Sequence, residues 1–439
     1  MGFEELGDAL NLIVSKLGPK DAAVLMCVNK RLLCLASDDA LWLKFCSLDL
    51  EIGSPQDPDG NPTSSFKTTY RLWRDDFGMY PWSLVKRVKK CWDSLKNWLS
   101  ENFPEARSTL RKGASEAELK LVEDSLGVKL PLSTRVLYRF CDGQEISEDS
   151  LESILGSPLG LIGGYSFYNH LVNVYLLPLS QVISTTKEFV RQLGFTNQSK
   201  YIVVAASSTL SEKLFFLNCI NGHLYVGTRN LSTDGEMMPC VSVPSRSSTH
   251  NSGDQRDAML LWLEEHGRRL ESGIIRLCSE GRYRSINLFP EASPLCSTAV
   301  TNGVQIRASA VYVPELSDLQ QESEKYWFSY SIRMSLQPEG CVLNGMPFSS
   351  CQLYWRHWII RAKEAVVSDV NDEAVIGKYP LLATNGKEFV YESCTPLPSS
   401  CGSIEGAFTF VPGRLTEPKG APFDVEVGRF PLEVPDYIF

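Results

Sequence analysis

A change of hydrophobic period limits what this 439-residue chain can fold into. In its first third, apolar residues recur at helical spacing. After Phe289-Pro290 no helical period remains. Trp327, Ser329, Ser331 and Arg333 alternate there with Phe328, Tyr330, Ile332 and Met334, the period of a strand. Further short runs follow at Leu353–Ile360, Phe389–Tyr391, Phe408–Val411 and Phe423–Val427, separated by Gly and Pro. Val300–Ala308 reads as one more strand. This pattern predicts an all-β sandwich over residues 290–439. A chain that writes helices and strands in separate blocks forms separate domains, and its length fits about three.

Residues 1–50 read as three short helices. Leu10, Ile13, Val14 and Leu17 fall on one helical stripe, which Gly18-Pro19 stops. Asp21 is the expected N-cap of a second stripe, Val24, Leu25 and Val28. Leu32, Leu33 and Leu35 form a third, and Leu41-Trp42 closes the unit. So small a unit cannot bury this apolar surface alone and needs a partner. Residues 51–80 are predicted as a linker, because Gly53, Pro55, Pro58, Gly60 and Pro62 favour loops and turns.

Residues 81–285 read as α+β. Val85, Val88, Trp92, Leu95 and Leu99 form one amphipathic helix, with Lys86, Arg87, Lys89, Lys90 and Lys96 on its solvated face. Ser115 and Glu118 predict a capping box opening a second helix. Strands are expected at Val172–Leu177, Tyr201–Ala206, Leu214–Leu217 and Leu224–Val226, with Asn221-Gly222 turning the last pair. Residues 232–256 have loop composition. Ala258–Leu270 is a helix, and an imidazolium at His266 would suit the negative end of its dipole.

Several function classes lose support. A net charge of −9 disfavours nucleic acid as a partner. The acidic start Met1-Gly2-Phe3-Glu4-Glu5 is unlike a signal peptide, and no apolar run reaches the ~18 residues of a membrane span. The 13 cysteines contain no C-x-x-C and fit reduced thiols. The expectation is a soluble protein of the nucleus and/or cytoplasm. None of the five histidines stands at metal spacing with another His or Cys, and no P-loop or nucleophile–base set is visible. A non-catalytic chain without cofactor is predicted.

Three resemblances sharpen this reading. Leu6–Trp42 resembles an F-box, with its Ile13–Leu17 stripe, Pro19, Val28-Asn29-Lys30-Arg31 and Leu41-Trp42; Gly7 stands where many F-boxes have Pro. Glu118–Glu123, Leu126–Pro131 and Tyr138–Gly143 resemble a SUKH domain, an α+β fold used in protein–protein binding. Tyr330–Arg333, Gln352–Ile360, Ala374–Leu382, Phe389–Ser393 and Gly402–Gly406 resemble the ApaG domain, a fibronectin-III-like sandwich. The three-part order is similar to that of plant Skp-interacting F-box proteins. It implies a substrate receptor of an SCF-type E3 ubiquitin ligase, which binds the Skp adaptor and, through it, cullin and a RING protein. The implied adaptor-binding residues are Leu10, Ile13, Leu17, Val24, Val28, Leu41 and Trp42. Some would face the adaptor and others would hold the helices together; sequence does not divide them.

The alternatives are a phosphometabolite-binding ApaG sandwich and an interaction scaffold outside SCF. Bacterial ApaG proteins carry a Gly-x-Gly-x-x-Gly loop, and the matching positions here are Asp372, Ala374 and Gly377. Two glycines are gone and a carboxylate is added, which disfavours phosphate. Target-facing candidates are Gly160–Tyr165, the loop near Asp372 and the exposed side of the sandwich.

Overall fold

The computed structural model describes residues 12–14, 16–145, 159–168, 170–192, 200–207, 213–228, 237–242, 257–280 and 283–439. Its N-terminal helices span Pro19–Leu25, Lys30–Ala36 and Asp39–Leu50. Asn29 and Asp38 cap the second and third by accepting the Leu32 and Ala40 N–H groups. Asp21 lies inside the first helix rather than capping it. Gly18 takes the cap position and Pro19 the first turn, where a ring-fixed φ suits helix entry.

The predicted linker over 51–80 is corrected by a helix, Phe66–Phe77, capped by Ser65. Tyr70, Trp73 and Phe77 form its buried face. Tyr70 meets Trp42 at 5.5 Å, and Phe77 stacks on Phe140 at 4.8 Å. Aromatic burial on both sides therefore mounts the N-terminal helices firmly on the next domain. Residues 51–65 and 78–80 keep loop character, with Trp73 Nε1–H donating to the Gln56 carbonyl at 3.0 Å.

The middle unit is α+β. Its sheet is built from β1 (Gly163–Phe167), β2 (His170–Leu176), β3 (Tyr201–Ser207), β4 (Lys213–Asn218), β5 (Leu224–Thr228), β6 (Met238–Pro239), β7 (Arg276–Glu280) and β8 (Tyr283–Asn287), in the order β6-β5-β4-β3-β2-β1-β8-β7. Neighbours are antiparallel except β1 and β8. Helices Trp82–Asn102, Leu132–Phe140 and Ala258–Glu271 pack together, with Trp92 buried and donating to the Leu137 carbonyl at 3.1 Å. The capping box at Ser115 and Glu118 forms as expected.

The candidate segment Gly160–Tyr165 is not a surface: it is buried throughout. Its glycines permit close backbone approach. A Cβ at Gly164 would fall 1.6 Å from the Val172 carbonyl oxygen.

The last unit is a sandwich. One sheet orders β9 (Cys296–Thr301), β10 (Val304–Tyr312), β11 (Tyr326–Leu336) and β17 (Phe389–Leu397) as β17-β11-β10-β9. A small hairpin, β12 (Cys341–Leu343) and β13 (Met346–Phe348), stands apart. The other sheet holds β14 (Ser350–Ala362), β15 (Ala365–Glu373), β16 (Leu381–Ala383), β18 (Cys401–Arg414), β19 (Glu417–Pro418) and β20 (Phe423–Glu433). Trp358, Phe408 and Phe430 of this sheet meet Tyr330 and Tyr391 of the first, forming the core.

The single strand expected over Val300–Ala308 is instead the β9–β10 hairpin. Asn302 and Gly303 turn it with φ of 50° and 85°. Asn-Gly is a strong hairpin signal, because both residues tolerate left-handed backbone.

Candidate docking interface and the interdomain seam

The helical unit divides its apolar residues by direction. Trp42 is 4% exposed; its Nε1–H donates to the Ala36 carbonyl at 2.8 Å and its ring meets Phe45 and Tyr70. Leu41 is buried beside it and Leu17 is half-buried. Ile13, Val24 and Val28 point outward, at 57%, 67% and 64% exposure. Leu12, Leu33 and Leu48 are also exposed. Leu10 lies outside the described residues. So many exposed aliphatic side chains on one short unit form an apolar surface of the kind interaction sites present.

Beside these helices a groove of about 740 Å³ opens between Pro19–Leu25 and Phe66–Phe77. Val24, Met26, Trp42 and Tyr70 line its apolar part.

A second constellation, which no sequence motif announced, joins the sandwich to the middle unit. Lys213 on β4 and Glu315 after β10 are both fully buried, with Nζ 3.6 Å from Oε1. Tyr165 bridges them. Its hydroxyl accepts from Lys213 at 2.9 Å and lies 2.7 and 3.0 Å from the two Glu315 oxygens. Lys213 also donates to the Phe439 carbonyl. Burial pushes the Lys213 ammonium below its ordinary pKa, and Glu315 opposes that shift. Burial, followed by the Glu315 charge, raises the Tyr165 phenol well above its usual value.

Residues 434–439 complete the seam. Ser242 N–H donates to Asp436, Ile438 N–H to Cys240, and Trp262 Nε1–H to Ile438 at 2.7 Å. Phe439 lies over Trp262 and under the Arg269 guanidinium. Ser329 of β11 donates to the Ser166 carbonyl at 2.9 Å and is itself buried. Ser329 of β11 thus faces the middle unit at close range.

His266 lies within its helix, fully buried, not at an exposed end. Its Nε2–H donates to the Leu161 carbonyl at 2.8 Å. Burial holds its pKa down to about 4, so the expected imidazolium is replaced by neutral imidazole. The folded value lies below the unfolded ~6.5, so the unfolded chain takes up this proton first as pH falls. Stability is therefore expected to drop by about 3 kcal/mol between pH ~6.5 and ~4. Urea midpoints read by Trp fluorescence check this, and His266→Gln should flatten the slope.

At the degenerate glycine loop, Ala374, Ile376 and Gly377 have φ of 61°, 45° and 72°. Arg356 donates to the Ala374 carbonyl at 2.8 Å and pairs with Asp372 at 3.0 Å. A turn of left-handed backbone remains, with side chains on two of its three such positions and its nearest arginine engaged. All 13 cysteines are free thiols. Among the described residues no cluster of His, Cys, Asp and Glu could hold a metal ion, and no helix is long and apolar enough to cross a membrane.

F-box protein SKIP16 of Arabidopsis thaliana is 57% identical to this chain over 443 aligned residues, covering all of both. The chain belongs to this plant Skp-interacting F-box family. Human F-box only protein 3 is 26% identical across 98% of this family member and 82% of its own length. The ApaG domain family matches residues 316–412, within the sandwich. Protein ApaG of Nitrosomonas europaea is 33% identical over 132 residues, 30% of this chain and 91% of that protein. In this F-box protein, the part similar to ApaG is the sandwich that the interdomain seam ties down.

Proposed function

We propose that this chain is the substrate-recognition subunit of an SCF-type E3 ubiquitin ligase. The F-box unit binds a Skp adaptor, through which cullin and a RING protein assemble. Ile13, Val24 and Val28 supply apolar contact, together with Leu10 and Leu17. Leu41 and Trp42 hold the unit to its own chain. The SUKH-like middle unit and the ApaG sandwich receive the target protein in the nucleus or cytoplasm. The chain supplies proximity and orientation, and its partners supply the chemistry. The supporting observation is the exposure of Ile13, Val24 and Val28 on a helical unit that is anchored to the rest of the chain elsewhere, where Trp42 meets Tyr70.

Interface energy concentrates in a few anchors worth about 2 kcal/mol or more each. The triple variant Ile13→Asp, Val24→Asp, Val28→Asp is therefore expected to weaken binding of a purified Skp adaptor at least 100-fold while the chain stays folded. Undiminished binding by this variant, or no binding by the wild type, would overturn the proposal. Recovery of cullin with the complex separates an SCF receptor from a free-standing scaffold.

A further inference from the structure

The groove beside the F-box has a chemistry that apolar docking alone does not explain. Lys20, Lys67, Arg71 and Arg74 line it, and no carboxylate does. This concentration of cations occurs in a chain of net charge −9. Lys67, Arg71 and Arg74 are spaced 4 and 3 apart, on the side of helix Phe66–Phe77 that flanks its buried face. Two nearby carboxylates are already engaged. Asp39 accepts the Lys67 N–H, and Asp49 accepts the Tyr70 hydroxyl at 2.7 Å. Lys67 Nζ donates to Ser37 Oγ, whereas Lys20, Arg71 and Arg74 reach solvent.

We infer that this groove takes an acidic segment, bearing a large apolar side chain, from the same partner that covers Ile13, Val24 and Val28. The identity of that partner rests on the adaptor reading above. Continuity argues for one partner, because Val24 both lines the groove and belongs to the exposed face. Charge complementarity argues for an acidic segment. The apolar part, formed by Val24, Met26, Trp42 and Tyr70, argues for a peptide with a hydrophobic anchor, since a small polyanion would leave that surface wet. Half of the groove comes from helix Phe66–Phe77, which lies beyond the F-box resemblance, so the site belongs to the way this chain continues after the motif.

The test uses the full chain and purified Skp adaptor, with affinity measured at low and moderate salt. Arg71→Glu with Arg74→Glu is expected to weaken binding about tenfold at low salt and to flatten the salt dependence, as loss of complementary charge does. Lys90→Glu with Lys120→Glu changes net charge equally on other exposed surfaces and is expected to bind like wild type. If the groove variant behaves like this control, the inference fails while the adaptor reading stands. If Ile13→Asp, Val24→Asp, Val28→Asp binds undiminished, the adaptor reading fails first. Tighter binding by the groove variant would mean that the chain's own acidic stretch, Glu4, Glu5 and Asp8, competes for the groove, and would overturn the inference.

Discussion

Lys213→Ala is expected to destabilise the protein by about 3–5 kcal/mol, because breaking a buried pair leaves the other charge uncompensated. The abandoned group is Glu315, with only 2% of its side chain exposed. Removing the ammonium also takes a donor from the Tyr165 hydroxyl and the Phe439 carbonyl. Water cannot reach these atoms without opening the seam between the units. The double variant Lys213→Met, Glu315→Leu removes both charges, so it should recover a large part of the loss, since apolar replacement of a whole buried pair is often neutral. Urea unfolding of the wild type, the single variant and the double variant checks this. A single variant within 1 kcal/mol of wild type would show that the cluster is solvated and the seam loose.

Trp262→Ala should cost a similar amount, about 3–5 kcal/mol, the usual range for deleting a buried aromatic. Trp262 contacts Phe215 at 4.8 Å and Phe439 at 5.6 Å, and it holds the Ile438 carbonyl. Its loss empties part of the middle core and releases residues 434–439 together. The expected signature is the splitting of one cooperative transition into two, with the sandwich unfolding separately from the middle unit. Trp262→Phe keeps most of the packing and loses the hydrogen bond, so it should cost about 1–2 kcal/mol and keep one transition. Calorimetry distinguishes the two variants. A single undisturbed transition for Trp262→Ala would mean that the strap does not couple the units.

Some corrections were available in the sequence. Phe66, Tyr70, Trp73 and Phe77 are spaced 4, 3 and 4, a helical face hidden beside a stretch rich in Gly and Pro. Asn302-Gly303 was equally legible as a turn. Lys213, Glu315 and Tyr165 were not, because they lie 48 to 150 residues apart and no local pattern links them. His266 carries the same letters whether exposed at a helix end or enclosed beneath Leu161.

The sequence by itself determined the order of the units and the type of each. Hydrophobic period is a local property, and each period permits one kind of element. It also named the apolar residues of the N-terminal helical unit without assigning them a direction. Direction depends on what covers each side chain, and here the cover comes from distant segments. Tyr70 turns Trp42 inward and leaves Val24 outside. The Phe66–Phe77 helix makes a groove of what would otherwise be a bare helical face. Residues 434–439 return to the middle unit and enclose Lys213. Only the tertiary structure decided these points, because burial of a side chain is set by the whole chain and not by its neighbours in sequence.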